Sequence, residues 1–177
     1  MGILGRVVLK TIMNEMIYLE LLKAMEDKGI RYVVVGGVAV VLHGFVRATM
    51  DLDLVVSLES SNALKFLELV KGLGYRPKMP VPLEQFADPA KRQEWIETKG
   101  MRVFSLHHSK RVQELVDVFT KEPIPFEDLY SHRVRVPVEG ISINIASRED
   151  LKVLKRAAGR PQDLQDIAAL DKLNSKP

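Results

Sequence analysis

Apolar positions recur at helical spacing over residues 10–28. Ile12, Met16, Leu19, Leu22 and Met25 form one stripe, and Gly29 supplies a C-terminal stop. The pattern then changes. Residues 31–35 are a β-branched run ending at Gly36-Gly37, which reads as a buried strand turning on glycine into a short helix over 38–42, with His43-Gly44 at its end. From Arg47 the period becomes two. Ala48, Met50, Leu52, Leu54 and Val56 are apolar, whereas Arg47, Thr49, Asp51 and Asp53 are polar. Such alternation predicts a strand with one face on a core and the other open.

Ser60 or Ser61 is a candidate cap for a helix running to about residue 71, with Leu64, Leu67, Val70 and Leu73 inward and Gly72 and Gly74 ending it. Residues 75–100 hold four of the nine prolines and many charges, so this stretch reads as a long loop or lid with one helical turn near 90–96. Two strands, 101–106 and 112–119, flank a turn at 107–111, and 123–130 is a connector. Residues 134–138 and 141–145 form a hairpin about Glu139-Gly140. Ser147 caps a helix over 148–158 that Gly159 ends, and Pro161 opens a last helix to about residue 173. Because several strands are joined by short hairpins, the expected fold is α+β, a mixed sheet flanked by helices and not a doubly wound parallel sheet. Residues 1–177 read as a single domain, with its core over about 10–146 and a C-terminal helical pair over about 148–173.

Composition narrows the chemistry. A chain of 177 residues can bury a full core, and a formal net charge of +3 tolerates phosphate-bearing partners without being a dense basic patch. The absence of cysteine removes disulfides, thiolate nucleophiles and cysteine-based zinc sites. The longest apolar run, 32–42, is too short to span a bilayer, and the first residues lack a basic n-region and a cleavage site. A cytoplasmic protein without a membrane partner is expected.

Two aspartates at i and i+2 on a strand point to one side, with alpha-carbons roughly 7 Å apart. Aspartate is a poor strand residue, and like charges this close raise each other's pKa. A divalent cation relieves that repulsion. Magnesium prefers carboxylate oxygens completed by water and phosphate, and paired metals can clamp the attacking and leaving oxygens of phosphoryl transfer. A bare D-x-D is common, however, and usually marks a solvated strand face. Gly36-Gly37 just upstream changes the balance, because glycine lets the backbone approach a ligand closely. There is no G-x-G-x-x-G and no P-loop lysine after this strand.

The stretch GGVAVVLHGFVRATMDLDLVV resembles the signature of the nucleotidyltransferase superfamily that includes DNA polymerase β: an apolar residue, Gly, then Gly or Ser, a spacer, and Asp-apolar-Asp-apolar. Thirteen residues separate Gly37 from Asp51. Arg47, Thr49, Asp51 and Asp53 match the R-x-T-x-D-x-D strand of a small branch containing minimal and abortive-infection toxin-like nucleotidyltransferases. The resemblance implies that Asp51 and Asp53 hold Mg2+ or Mn2+. It also implies a third carboxylate on a nearby strand that helps hold the catalytic metal and activates the acceptor hydroxyl, assigned to Asp117 in ELVDVF with Glu114 as the alternative. Gly36, Gly37, Arg47 and Thr49 are the expected nucleotide-binding residues. Lys155, in SREDLKVLKRAAGRPQDLQDIAAL, is expected to approach the triphosphate, whereas Arg160, Asp163 and Asp166 read as structural charge pairs. Where the superfamily signature has serine, this chain has Gly37 and one side-chain phosphate contact fewer.

The implied activity moves a nucleoside monophosphate from a nucleoside triphosphate to a hydroxyl acceptor, with transfer RNA, protein or a small molecule as candidate acceptors. The competing readings are a non-catalytic nucleotide-binding half of a toxin–antitoxin pair, with a cognate partner protein, and a plain interaction domain. Elsewhere His43 reads as a helix-end cap, His107 and His108 lack a third metal ligand, Trp95 reads as loop packing, and Lys91-Arg92 as a solvated face.

Overall fold

The computed structural model describes residues 18–45 and 47–174. The alternation of apolar runs and breakers gives helix α1 (Leu19–Asp27), strand β1 (Tyr32–Val35), helix α2 (Gly36–Leu42), strand β2 (Asp51–Val56), helix α3 (Ser60–Leu73) and strand β3 (Tyr75–Pro77). A 3-10 turn (Leu83–Ala87), helix α4 (Pro89–Lys99) and strands β4 (Val103–His108) and β5 (Leu115–Phe119) follow. The chain continues with helix α5 (Phe126–Ser131), strands β6 (Val134–Val138) and β7 (Ile141–Ile145), and helices α6 (Arg148–Ala158) and α7 (Pro161–Asn174). The first part of the expected 10–28 helix lies outside the described residues.

The strands form one seven-stranded sheet in the order β3-β4-β5-β2-β1-β7-β6. β1 pairs antiparallel with β2, while β2–β5 and β1–β7 are parallel, so the sheet is mixed as expected for α+β. Both edge strands carry a proline, Pro77 and Pro137, where a missing donor costs least. On β2 and β5, Leu52, Leu54, Val116 and Val118 are fully buried in the core. In the β6–β7 hairpin Glu139 (φ +43°) and Gly140 (φ +84°) both adopt positive φ, the requirement of a tight two-residue turn.

Several expectations need correction. Residues 47–50 precede β2 instead of starting it. Ala48 is exposed and Met50 is 70% exposed, so the period-two pattern continues past the strand with its apolar side facing out. Glu59 stands at the N-cap of α3 without a side-chain bond to the helix amides, its carboxylate accepting from the Ser61 hydroxyl instead, and Leu64 points outward.

Residues 75–100 are not a lid. Asp88 caps α4 by accepting from the amide of Ala90, and Pro89 occupies the first helical position. Trp95 is buried and stacks on Phe104 with ring centroids 5.4 Å apart, and Phe86 stacks on the same ring at 5.1 Å. Arg92, read as solvated, is buried and donates to the carbonyl of Phe86. The connector holds α5. His107 and His108 belong to β4 and not to a turn. The tightly curled backbone of 109–113 lets His108 Nδ1 accept from the amides of Lys110 and Arg111.

Candidate active site

Asp51 and Asp53 occupy alternate positions of β2, on the face opposite Leu52 and Leu54. Parallel pairing with β5 places Asp117 in direct register with Asp53 and Leu115 with Asp51. All three carboxylates line one cavity of about 370 Å3, together with Gly37, Arg47, Thr49, Arg160, Gln162 and Asp163. Glu114, the residue before β5, has the opposite parity. It is buried in a separate network, accepting from the Tyr75 hydroxyl at 2.5 Å and pairing with Arg111.

The glycine pair fits tightly against these residues. Gly36 has φ +64°, and a Cβ built on it would overlap the Asp53 carboxylate. A Cβ on Gly37 would overlap Thr49 Oγ1 and lie 2.6 Å from Arg47 Nη2. Gly36 therefore satisfies a conformational and a steric requirement, Gly37 a steric one.

Burial, followed by the charges of Asp117 and Asp51, pushes the Asp53 carboxyl up to about 6, against the opposing influence of Arg160 and Lys155. Those cations belong to an ion-pair cluster at the junction of α6 and α7. Asp166, fully buried, pairs with Arg47 Nε at 3.0 Å and with Lys155 Nζ at 2.6 Å. Asp163 pairs with Lys155 at 3.2 Å and accepts from Arg160 Nε at 2.9 Å. Burial alone would raise Asp163, but hydrogen bonds from Arg160 and Lys155 hold it below the usual carboxylate range. Lys155 is thus buried between two aspartates, whereas the side chain of Arg160 is 73% exposed and lines the cavity.

The sequence reading missed this role for Arg160, and missed Gln162 and Tyr18 altogether. The Tyr18 hydroxyl donates to the Met50 carbonyl at 2.6 Å and accepts from the amide of Leu115, tying the starts of β2 and β5 together. Burial raises its hydroxyl to about 12. No motif marks a lone tyrosine in an amphipathic helix for such a task. His43, half-buried, donates Nε2–H to the carbonyl of Ala146 at 2.8 Å, and burial lowers its pKa.

Three hard oxygen donors on adjacent strands suit a magnesium-like cation, and the carboxylate repulsion that adds to burial in raising Asp53 is what a cation would relieve. Among the described residues no three histidine, aspartate or glutamate side chains close into a ready cage.

The mixed sheet flanked by helices is shared with solved nucleotidyltransferases. The chain superposes on lincosamide antibiotic adenylyltransferase LnuA, solved with lincomycin bound, at a TM-score of 0.59 and 16% identity, covering 87% of this chain and 94% of that one. ANT(2")-Ia, solved with adenylyl-2"-tobramycin, gives a TM-score of 0.55 and 13% identity over 98% of this chain and 94% of that one. An antigenic nucleotidyltransferase-like protein from Paracoccidioides brasiliensis gives 0.52 and 17% identity over 93% and 76%. No curated protein sequence matches the chain. Residues 8–175 match the family described as "Nucleotidyltransferase of unknown function (DUF6036)", and the protein belongs to that family. It is a nucleotidyltransferase.

Proposed function

We propose that the protein transfers a nucleoside monophosphate from a nucleoside triphosphate to a hydroxyl acceptor with the help of a divalent cation. The carrying observation is that Asp51, Asp53 and Asp117 line one cavity, with Gly37 in its wall and Gly36 packed directly against the Asp53 carboxylate. In the transfer, the acceptor oxygen bonds the α-phosphorus. The bond from that phosphorus to the β-bridging oxygen breaks, and pyrophosphate leaves with the electron pair. Asp117 takes the hydroxyl proton. Asp51 and Asp53 would hold Mg2+ or Mn2+, which supplies neutralising charge at the phosphates. Arg47 and Thr49 orient the phosphates over the glycine turn, and Arg160, which lines the same cavity, adds a further cation for them. Lys155 enters as electrostatic support behind Asp53, because its ammonium is already held by Asp163 and Asp166. Catalysis is positioning plus charge stabilisation.

The names of two structural neighbours point to small polyhydroxylated acceptors. The test is incubation of purified protein with Mg2+ and each α-labelled ribonucleoside triphosphate, with lincomycin, tobramycin, transfer RNA or cell extract as acceptor. We expect a labelled acceptor product and pyrophosphate with wild type and none with Asp53→Asn. Nucleotide binding without transfer under any condition would favour the non-catalytic module instead.

A further inference from the structure

The seat of the missing side chain at position 37 is not empty. The Thr49 hydroxyl and Arg47 Nη2 reach into it from the segment leading to β2. Arg47 is anchored from behind, with Nε against the buried Asp166 and Nη1 donating to the carbonyl of Ala48 at 2.8 Å. Its Nη2 and the Thr49 hydroxyl make no hydrogen bond to another described residue, and both residues line the cavity that holds the three carboxylates. Two unengaged donors thus share one point of a wall whose other groups are largely acidic. A carboxylate-rich cavity repels a polyphosphate unless such donors are present.

We propose that the Thr49 hydroxyl occupies the seat of residue 37's absent side chain and supplies, from the strand approach, the phosphate contact that the glycine turn cannot make. Thr49 is therefore a substrate-positioning residue whose identity is coupled to that of Gly37: a hydroxyl can stand on one position or the other, not on both. Crowding by Thr49 Oγ1, with only the tip of the Arg47 side chain beside it, keeps position 37 a glycine. The assignment rests on the proposed nucleotide site.

The coupling is tested by a reciprocal exchange in the full chain, reading the dissociation constant of each Mg2+-triphosphate by calorimetry and the nucleotide-free melting temperature of every variant. Thr49→Val keeps the shape and removes the hydroxyl, and should weaken binding about tenfold, one charge-assisted hydrogen bond. Thr49→Ser should bind within about threefold of wild type. Gly37→Ser should weaken binding through the collision with Thr49. The double variant Gly37→Ser/Thr49→Ala should recover affinity relative to Thr49→Ala, because the hydroxyl has moved across the seat. Equal affinity of Thr49→Val and wild type overturns the assignment. So does a double variant that melts like wild type yet binds no better than Thr49→Ala. A wild type that binds no triphosphate overturns the proposed function itself, and the assignment with it.

Discussion

At Asp53, burial and two neighbouring carboxylates act in one direction and two cations in the other. The folded carboxyl keeps its proton to about pH 6, whereas in the unfolded chain it releases it at about 4. Between those values the folded state binds more protons, so stability falls as pH rises and the full cost is present above about pH 6. Removing the charge by Asp53→Asn should therefore stabilise the cation-free protein at pH 8 by on the order of 1–2 kcal/mol and change little at pH 4. Urea denaturation with a chelator present, at both pH values, checks this. A loss of stability at both would make Asp53 a structural partner of the nearby cations. At this scale the aspartates were legible. Period two put Asp51 and Asp53 on one face, and the family resemblance pointed to Asp117, which the sheet places in register with Asp53. Arg160 was not, because no local pattern separates a cation that braces a helix junction from one that also faces a cavity.

Among the elements, hairpins and caps read well because their signals are local: Ser147 at α6, Gly159 after it, Glu139-Gly140 between β6 and β7. The 75–100 segment was misread because proline and charge density count against structure only on average. Asp88-Pro89 is a helix start in miniature, and the aromatic pair it serves, Trp95 on Phe104, exists only after β4 has joined the sheet. The link from α7 to the site was equally invisible, since Arg47 and Asp166 meet only through tertiary packing. That link carries a prediction. Asp166→Ala leaves the Arg47 guanidinium without its buried partner and takes one of two from Lys155. It should cost about 3 kcal/mol in chemical denaturation, and in its folded fraction it should weaken triphosphate binding by releasing Arg47. Glu127→Gln, which breaks the exposed pair with Arg31, should leave the denaturation midpoint unchanged.

In the whole molecule, the α+β class followed from the hairpins, and the sheet order supplies what no pattern along the chain contains. No described helix is long and apolar enough to cross a membrane. β2 stands fourth of seven strands, with β1 and β5 bonded to its two sides and prolines confined to the rims. A middle strand can release its amide protons only when the sheet comes apart, whereas the rims can fray alone. Under native-state deuterium labelling, peptides spanning 51–56 and 115–119 should therefore exchange last, and 75–77 and 134–138 first. Edge peptides as slow as the centre would contradict this. The acidic pair then rides on the slowest-opening part of the protein, and a bound nucleotide should slow exchange in the centre more than at the rims.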